Sequence, residues 1–128
     1  MVQVITFCSS AFDEVIEPEG INQTSGHALG SWVRQRLRAE GIDGTGIDAE
    51  DWGWYFEVEY EEICYLVGFC SLISEGNEQS EHIIQIHRHR TLWQRATGAG
   101  TPERDDAFTA KLVSIAQELS PDVSVERE

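Results

Sequence analysis

The chain has 128 residues, 41% of them hydrophobic and 25% charged, which fits one globular domain with a core of its own. Nine Lys and Arg residues stand against 23 Asp and Glu residues, and the formal charge of −14 argues against nucleic acid and anionic membranes as partners. No apolar run approaches a membrane span, and three cysteines do not make a dense disulfide framework. We therefore expect a cytoplasmic protein with reduced, buried cysteines.

The first third of the sequence predicts a strand, a loop and a helix. Val2–Cys8 is β-branched and apolar at both odd and even positions, as in a buried or central strand. An aperiodic loop follows, and then a helix begins at Thr24 or Ser25, either of which can cap it. Gly26 and Gly30 lie one helical turn apart and weaken the helix. We expect another backbone to approach closely there, or Gly26 to belong to the cap.

The stretch "EDWGWYFEVEYEE" leads into a predicted β-hairpin, because from Gly53 onward apolar and polar residues alternate. The alternation predicts two faces, with Trp54, Phe56, Val58 and Tyr60 on one and Tyr55, Glu57 and Glu59 on the other. Ile63–Cys70 returns, and a two-residue or a four-residue loop gives the same register, with Trp54 opposite Phe69. Glu61 and Glu62 suit a primed turn poorly, so we expect the four-residue type I loop.

The last third of the sequence predicts one more strand and one more helix. His82–Arg90 alternates, so that Ile84 and Ile86 face the core while the histidines at positions 87 and 89 face away. Thr101 and Pro102 favour a helix start, and the apolar stripe runs to about position 119.

The predicted order β-α-β-β-β-α indicates an α+β fold, a two-layer sandwich in which two helices cover one face of a mostly antiparallel sheet. Residues 1–120 form a single domain, and residues 121–128 form an acidic C-terminal tail in which a short edge strand is an alternative. The other face of the sheet stays open.

Two segments in the middle of the chain carry a resemblance. The helix "GHALGSWVRQRLRAEGI" precedes the hairpin start "EDWGWYFEV". This arrangement resembles small uncharacterised bacterial proteins in which a Gly-x-x-Leu-x-x-Trp helix precedes a Glu-Asp-Trp-Gly-Trp hairpin. The matching residues are Gly26, Leu29, Trp32 and Glu50 to Trp54. The resemblance supports the predicted fold and implies no catalytic residue.

The open face offers a candidate metal site, although the register of the third hairpin strand decides whether its members share that face. His87 and His89 lie on one side of their strand, about 7 Å apart. With Cys64 and Glu59 they would complete a tetrahedral set for zinc. The alternative is that the histidines are partly solvated and reduce the repulsion between glutamates.

A second candidate site combines acids with aromatic rings that the core does not need. Its predicted binding residues are Glu50, Asp51, Trp52, Tyr55, Glu57, Glu59 and Trp93. Trp and Tyr are common interface anchors, and an acidic surface suits a basic protein partner. The alternative is that Trp52 and Trp93 cover the ends of the core while Tyr55 shields Gly68.

No familiar catalytic motif is present, so the sequence gives no catalytic residues and favours a protein that is not an enzyme. The leading hypothesis is a small acidic protein-binding module with an antitoxin-, immunity- or regulator-like role. The alternative is a small-molecule- or metal-binding protein with its site on the open sheet face. An enzyme is one form of this alternative. Homodimerisation through the sheet is compatible with both hypotheses, because the return strand is apolar on both faces.

Overall fold

The computed structural model describes residues 2–12, 25–72, 79–89 and 107–127. These residues form two helices and six strands. In chain order the elements are β1 (Val2–Ser9), α1 (His27–Ala39), β2 (Asp48–Glu50), β3 (Gly53–Tyr60), β4 (Ile63–Leu72), β5 (Ser80–His89), α2 (Ala107–Ala116) and β6 (Val123–Arg127).

The strands form one antiparallel sheet in the order β2-β3-β4-β5-β1-β6. Helix α1 packs on β3 and β4, and α2 packs on β1 and β6. The predicted α+β two-layer sandwich is therefore confirmed. Two strands extend the predicted set, because β2 lies in the turn-rich segment before the hairpin and β6 lies within the predicted tail. Neither described helix is long and apolar enough to span a membrane.

The β3–β4 register that the alternation predicts is confirmed, and the structure adds the β4–β5 register, which the sequence left open. Trp54 pairs with Phe69 between β3 and β4, and Phe69 pairs with Ile84 between β4 and β5. One face of these strands therefore supplies the centre of the core, and full burial of each such side chain contributes about 1.5 to 3 kcal/mol. Fully buried members of the core include Ile5, Leu29, Val33, Leu37, Phe56, Val67, Phe69, Ile84, Phe108 and Leu112.

The β3–β4 turn differs from the expected four-residue loop. Tyr60 pairs directly with Ile63, so that only Glu61 and Glu62 form the turn. Their φ angles of 51° and 66° are both positive, as a two-residue type I′ turn requires. The prediction of a type I loop was wrong because the twist of two well-paired strands decides the turn geometry, and the local preference of glutamate is weaker than that demand.

The start of α1 lies directly against β4. Gly26 is the N-cap residue and makes no side-chain cap, while the Ser25 carbonyl accepts a hydrogen bond of 2.8 Å from the Ser71 amide. A Cβ at Gly26 would lie 2.7 Å from the Phe69 carbonyl oxygen, and one at Gly30 would lie 3.0 Å from the Phe69 ring. The expected approach of another backbone is confirmed at Gly26, which is also the cap residue, whereas Gly30 lies against a side chain. Ser25 is not a side-chain cap, and the alternative cap Thr24 lies outside the described residues.

Helix α2 carries the predicted apolar stripe, with Phe108, Leu112, Ile115 and Ala116 buried against the sheet. The predicted helix start at Thr101 and Pro102 lies outside the described residues. Two ion pairs join α2 and the turn after it to α1: Lys111 with Glu40 at 2.8 Å and Arg36 with Glu118 at 2.9 Å. Such surface pairs contribute only about 0 to 1 kcal/mol each, so apolar burial dominates this contact.

The close approach of the β2–β3 turn to β4 gives the first prediction. Gly53→Ala should lower the free energy of unfolding by about 2 kcal/mol or more, because its Cβ would collide with the Phe69 carbonyl oxygen. Urea denaturation measures the change. Gly46→Ala is the matched control, since a Cβ there meets nothing within 4 Å. Equal stability of the two variants would contradict the proposed close contact.

Candidate functional site

The sheet face opposite the helices carries both sets of candidate residues. Strand pairing places Tyr55 beside Gly68, Glu57 beside Leu66 and Glu59 beside Cys64. Between β4 and β5 it places Leu66 beside His87 and Cys64 beside His89. Directly paired residues share a face, so the register that the sequence left open puts both histidine positions on the face of Cys64 and Glu59.

Trp52 lies on this open face and covers Gly68. A Cβ at Gly68 would collide with the benzo ring of the indole, so only glycine permits this contact. Trp52 is nevertheless 40% exposed, and Tyr55, which pairs directly with Gly68, is half-buried. The alternative in which Trp52 covers an end of the core is therefore wrong. It shields the central glycine of β4 beside Tyr55 and keeps a large part of its ring in solvent.

Three carboxylates on β2 and β3 act on Tyr55, and we call Asp48, Glu50, Trp52, Tyr55 and Glu57 the aromatic-acid patch. Asp48 pairs with Tyr55 across β2 and β3, and Glu50 pairs with Gly53. The pKa of the Tyr55 phenol is raised above its ordinary value by burial and then by the negative charges of Asp48, Glu50 and Glu57. The three carboxylates therefore act together on one phenol and create a negative field at the aromatic rings.

The remaining predicted binding residues have different positions. Asp51 is exposed in the β2–β3 turn beside Trp52. Glu59 is exposed further along β3 and lines an open depression of about 330 Å³ together with Asp43, Thr45 and Cys64. Trp93 lies outside the described residues. The structure thus brings Glu50, Trp52, Tyr55 and Glu57 together at the start of the hairpin and adds Asp48 to them.

The positive charges of the described side chains lie away from this face. Arg36 and Arg38 of α1 and Lys111 of α2 belong to the helix layer, where they pair with Glu118, Asp43 and Glu40 respectively. Arg34 of α1 donates to the backbone carbonyls of Gly44 and Thr45, and Arg88 pairs with core-facing Tyr65 on the helix side of the sheet. Of the Lys and Arg side chains that the structure describes, none lies on the open face.

The predicted metal set is partly assembled by the backbone. Glu59, Cys64 and His89 occupy directly paired positions in one row across β3, β4 and β5. His87 lies in the adjacent row, opposite Leu66. Within the described residues, however, no three His, Cys, Asp or Glu side chains form a group that could hold a metal ion. Zinc binding stays a prediction.

The cysteines also belong to the open face, and the expectation that they are buried was wrong for two of them. Cys8 and Cys64 are exposed free thiols, while Cys70 is half-buried and free. Strand alternation explains why these cysteines are not in the core. The residues next to each cysteine along its strand face the core, so the cysteine itself faces the open side of the sheet. Burial raises the pKa of the Cys70 thiol, so this thiol is less reactive as a nucleophile at neutral pH.

The structure reveals a buried polar cluster that sequence reasoning missed. His82 is fully buried, its Nδ1 lies 2.8 Å from the Ser71 hydroxyl, and its Nε2 lies 3.2 Å from the Ser9 carbonyl oxygen. Because a carbonyl only accepts, Nε2 carries the proton, and Nδ1 accepts from Ser71 in the neutral ring. Phe7 and Phe12 pack against the imidazole, with distances between ring centroids of 5.2 and 5.7 Å.

This cluster is structural in character. A serine beside a histidine can form a nucleophile and its base, but Ser71 is 5% exposed and His82 is 0% exposed. No substrate can reach the hydroxyl at that depth, so the pair satisfies buried polar groups at one end of the core. A signal was present in the sequence, since His82 lies two residues before Ile84 and alternation puts both on the same face.

Comparison of the chain with models of protein families, with curated proteins and with solved structures finds no match. The resemblance to small bacterial proteins with the helix and hairpin motif stays a prediction. The candidate site therefore rests on its own geometry and charge.

The buried cluster gives the second prediction. His82→Ala should lower the free energy of unfolding by about 3 kcal/mol, because it leaves a cavity and removes the ring that partners both Ser71 and Ser9. Ser71→Ala removes one of the two hydrogen bonds and little volume, so we expect about 1 kcal/mol. Urea denaturation measures both variants. A fully stable His82→Ala protein would contradict a structural role for the ring.

The aromatic-acid patch gives the third prediction. Glu57→Gln should lower the raised pKa of Tyr55, because one of the negative charges that disfavour its phenolate is removed. Burial is the largest cause and remains, so the pKa should stay above its ordinary value. A pH titration followed by NMR of labelled tyrosine Cζ atoms separates Tyr55 from the other tyrosines. Glu118→Gln, on the helix layer, should leave the Tyr55 titration unchanged, and an equal shift in both variants would contradict a local effect.

Proposed function

We propose that this protein is a non-enzymatic binding module whose open sheet face docks a basic surface of a protein partner. The observation that carries the proposal is the segregation of charge. Acids surround exposed aromatic area on one face, and the described Lys and Arg side chains lie on the other side of the sheet or in the helix layer. The positive charge of a basic partner would complement these acids.

The composition of the patch supports a protein partner. Trp52 and Tyr55 offer rigid aromatic area of the kind that carries most of the affinity in many interfaces. The surrounding carboxylates would accelerate association and exclude acidic competitors, since electrostatic complementarity acts mainly on encounter rate and specificity. An antitoxin, immunity or regulator role in the cytoplasm is compatible with such a module.

A second copy of this chain is a less favourable occupant of the same face. Stacking two open faces would bring Glu57 and Glu59 of one copy close to like charges of the other. The net charge of −14 on each copy adds to this repulsion. Homodimerisation through the sheet is therefore the competing outcome, and a measurement of molecular mass in solution identifies it.

A metal or small-molecule site is the second candidate function. The row of Glu59, Cys64 and His89 across three paired strands favours it, because carboxylate, thiolate and imidazole are all zinc ligands. Metal analysis of protein purified without chelators tests this candidate. If the purified protein contains no metal and added chelator leaves its stability unchanged, the metal-binding function is ruled out.

The proposed docking gives the fourth prediction. Protein immobilised through a terminal tag should capture a basic protein from an extract of its source cells, and the capture should weaken steeply with salt. The double variant Glu57→Gln and Glu59→Gln should reduce the affinity for the captured protein about fivefold or more, since it removes two charges from the face.

The control for this experiment removes the same total charge from the helix layer. Glu40→Gln together with Glu118→Gln should leave the affinity within about twofold, because both residues lie on the helix side of the sheet. Equal losses in the two double variants, or an association that is insensitive to salt, would contradict docking on the open face.

A further inference from the structure

The two edges of the sheet are built differently. Strand β2 has only three residues, and its acids Asp48 and Glu50 are exposed. The segment before β2 departs from regular pairing, because the Glu57 amide donates to the Thr45 hydroxyl and Arg34 donates to the Thr45 carbonyl oxygen. Short length and interrupted pairing both discourage the addition of another strand at this edge.

Strand β6 forms the opposite edge, and it is longer and more regular. Its five residues, Val123–Arg127, pair continuously with β1. Among the described residues none pairs with the outer side of β6, and Ser124, Val125 and Glu126 are exposed. Every second residue of such a strand directs its backbone N–H and C=O groups outward, where another extended chain can pair with them.

The side chain of Val125 gives this edge an apolar contact. Val125 pairs with core-facing Ile5, so it lies on the helix side of the sheet. Its neighbour on the same side, Val123, packs against the core, whereas Val125 remains 44% exposed. The described helices therefore cover Val125 only in part, and a strand added beside β6 would cover it with a side chain of its own.

A depression adjoins the start of β6. Its volume is about 510 Å³, and its lining includes Cys8, Leu119, Pro121 and Ser124. Ser124 pairs with Thr6 and faces away from the helices, so a residue opposite Ser124 on an added strand would share that face and lie beside the depression. Backbone pairing along an edge, together with a recess for alternate side chains, is the arrangement by which sheet edges bind extended peptides.

We propose that β6 is a strand-addition site, at which an extended segment of a partner protein pairs with the outer backbone of β6. The segment carries a β-branched or aromatic residue opposite Val125 and a side chain opposite Ser124 that enters the depression. The edge specifies this occupant, because an extended backbone presents the complementary row of donors and acceptors. The strand-addition site is separate from the open face, so it does not depend on the proposed function.

A second copy of this chain is the competing occupant of the edge. An antiparallel pair of β6 strands centred on Val125 would place Ser124 of one copy opposite Glu126 of the other. The two Glu126 side chains would then be diagonal neighbours on one face, where like charges repel. The net charge of −14 on each copy adds to this repulsion, which a partner segment avoids.

The test begins with a library of random peptides displayed on phage and the full-length protein immobilised through a terminal tag. The selected peptides should share β-branched or aromatic residues at alternate positions. One of them is synthesised with a fluorescent label, and its affinity is measured by anisotropy. Val125→Lys should weaken binding about tenfold or more, because the added strand would have to cover a charged group.

Leu72→Lys is the matched control for Val125→Lys. It introduces the same charge at an exposed apolar residue of β4, which lies three strands away from β6. The affinity for the peptide should therefore stay within about twofold of the unchanged protein. Both variants should fold, because both side chains are exposed, and a melting curve checks this.

Hydrogen exchange of the isotope-labelled protein, followed by NMR, locates the bound peptide. A saturating amount of peptide should slow the exchange of the outward amides of β6 about fivefold or more, because these amides gain hydrogen bonds. The amides of β2 at the other edge should exchange at an unchanged rate.

The strand-addition site is overturned if no peptide is selected, or if the selected peptide binds without slowing exchange in β6. Equal losses of affinity in Val125→Lys and Leu72→Lys would also overturn it. A free protein with twice the mass of one chain, which Val125→Lys returns to the single mass, would identify a second copy as the occupant in place of a partner segment. The capture experiment with Glu57→Gln and Glu59→Gln tests the open face separately.

Discussion

The contact around the Phe69 carbonyl constrains both layers of this protein. Gly26, at the start of α1, and Gly53, at the start of β3, approach this oxygen so closely that a Cβ at either position would collide with it. The Phe69 ring meanwhile packs against Gly30 of α1 and stacks on Phe56 at 5.4 Å. One residue of β4 therefore sets the distance between helix and sheet and the path of the chain into the hairpin.

The same contact links the core to the candidate site. Successive residues of a strand face opposite sides, so Phe69 is in the core while its neighbour Gly68 is on the open face. The turn that Gly53 allows places Trp52 on Gly68, and the pairing of β2 with β3 brings Asp48 beside Tyr55. The aromatic-acid patch is thus a product of the packing that stabilises the fold.

The distribution of polar groups divides the molecule in a way that suits docking. At one end of the core, His82 is satisfied by Ser71 and Ser9, so that its burial does not leave polar atoms without partners. On the helix layer, cations and anions pair with each other. The open face differs from both, because its carboxylates surround exposed aromatic area.

The sequence by itself determined the fold class, the strand faces and the β3–β4 register, because alternation with a period of two leaves one face for the core, whereas the β4–β5 register came only from the structure. It also identified Trp52 and Tyr55 as rings without a place in that core. The turn type predicted from the local preference of glutamate was wrong at Glu61 and Glu62, because strand twist imposed positive φ angles there. Only the tertiary structure decided that Trp52 lies on Gly68 and that the described cations lie elsewhere, because these features depend on contacts between strands and helices that are distant in sequence.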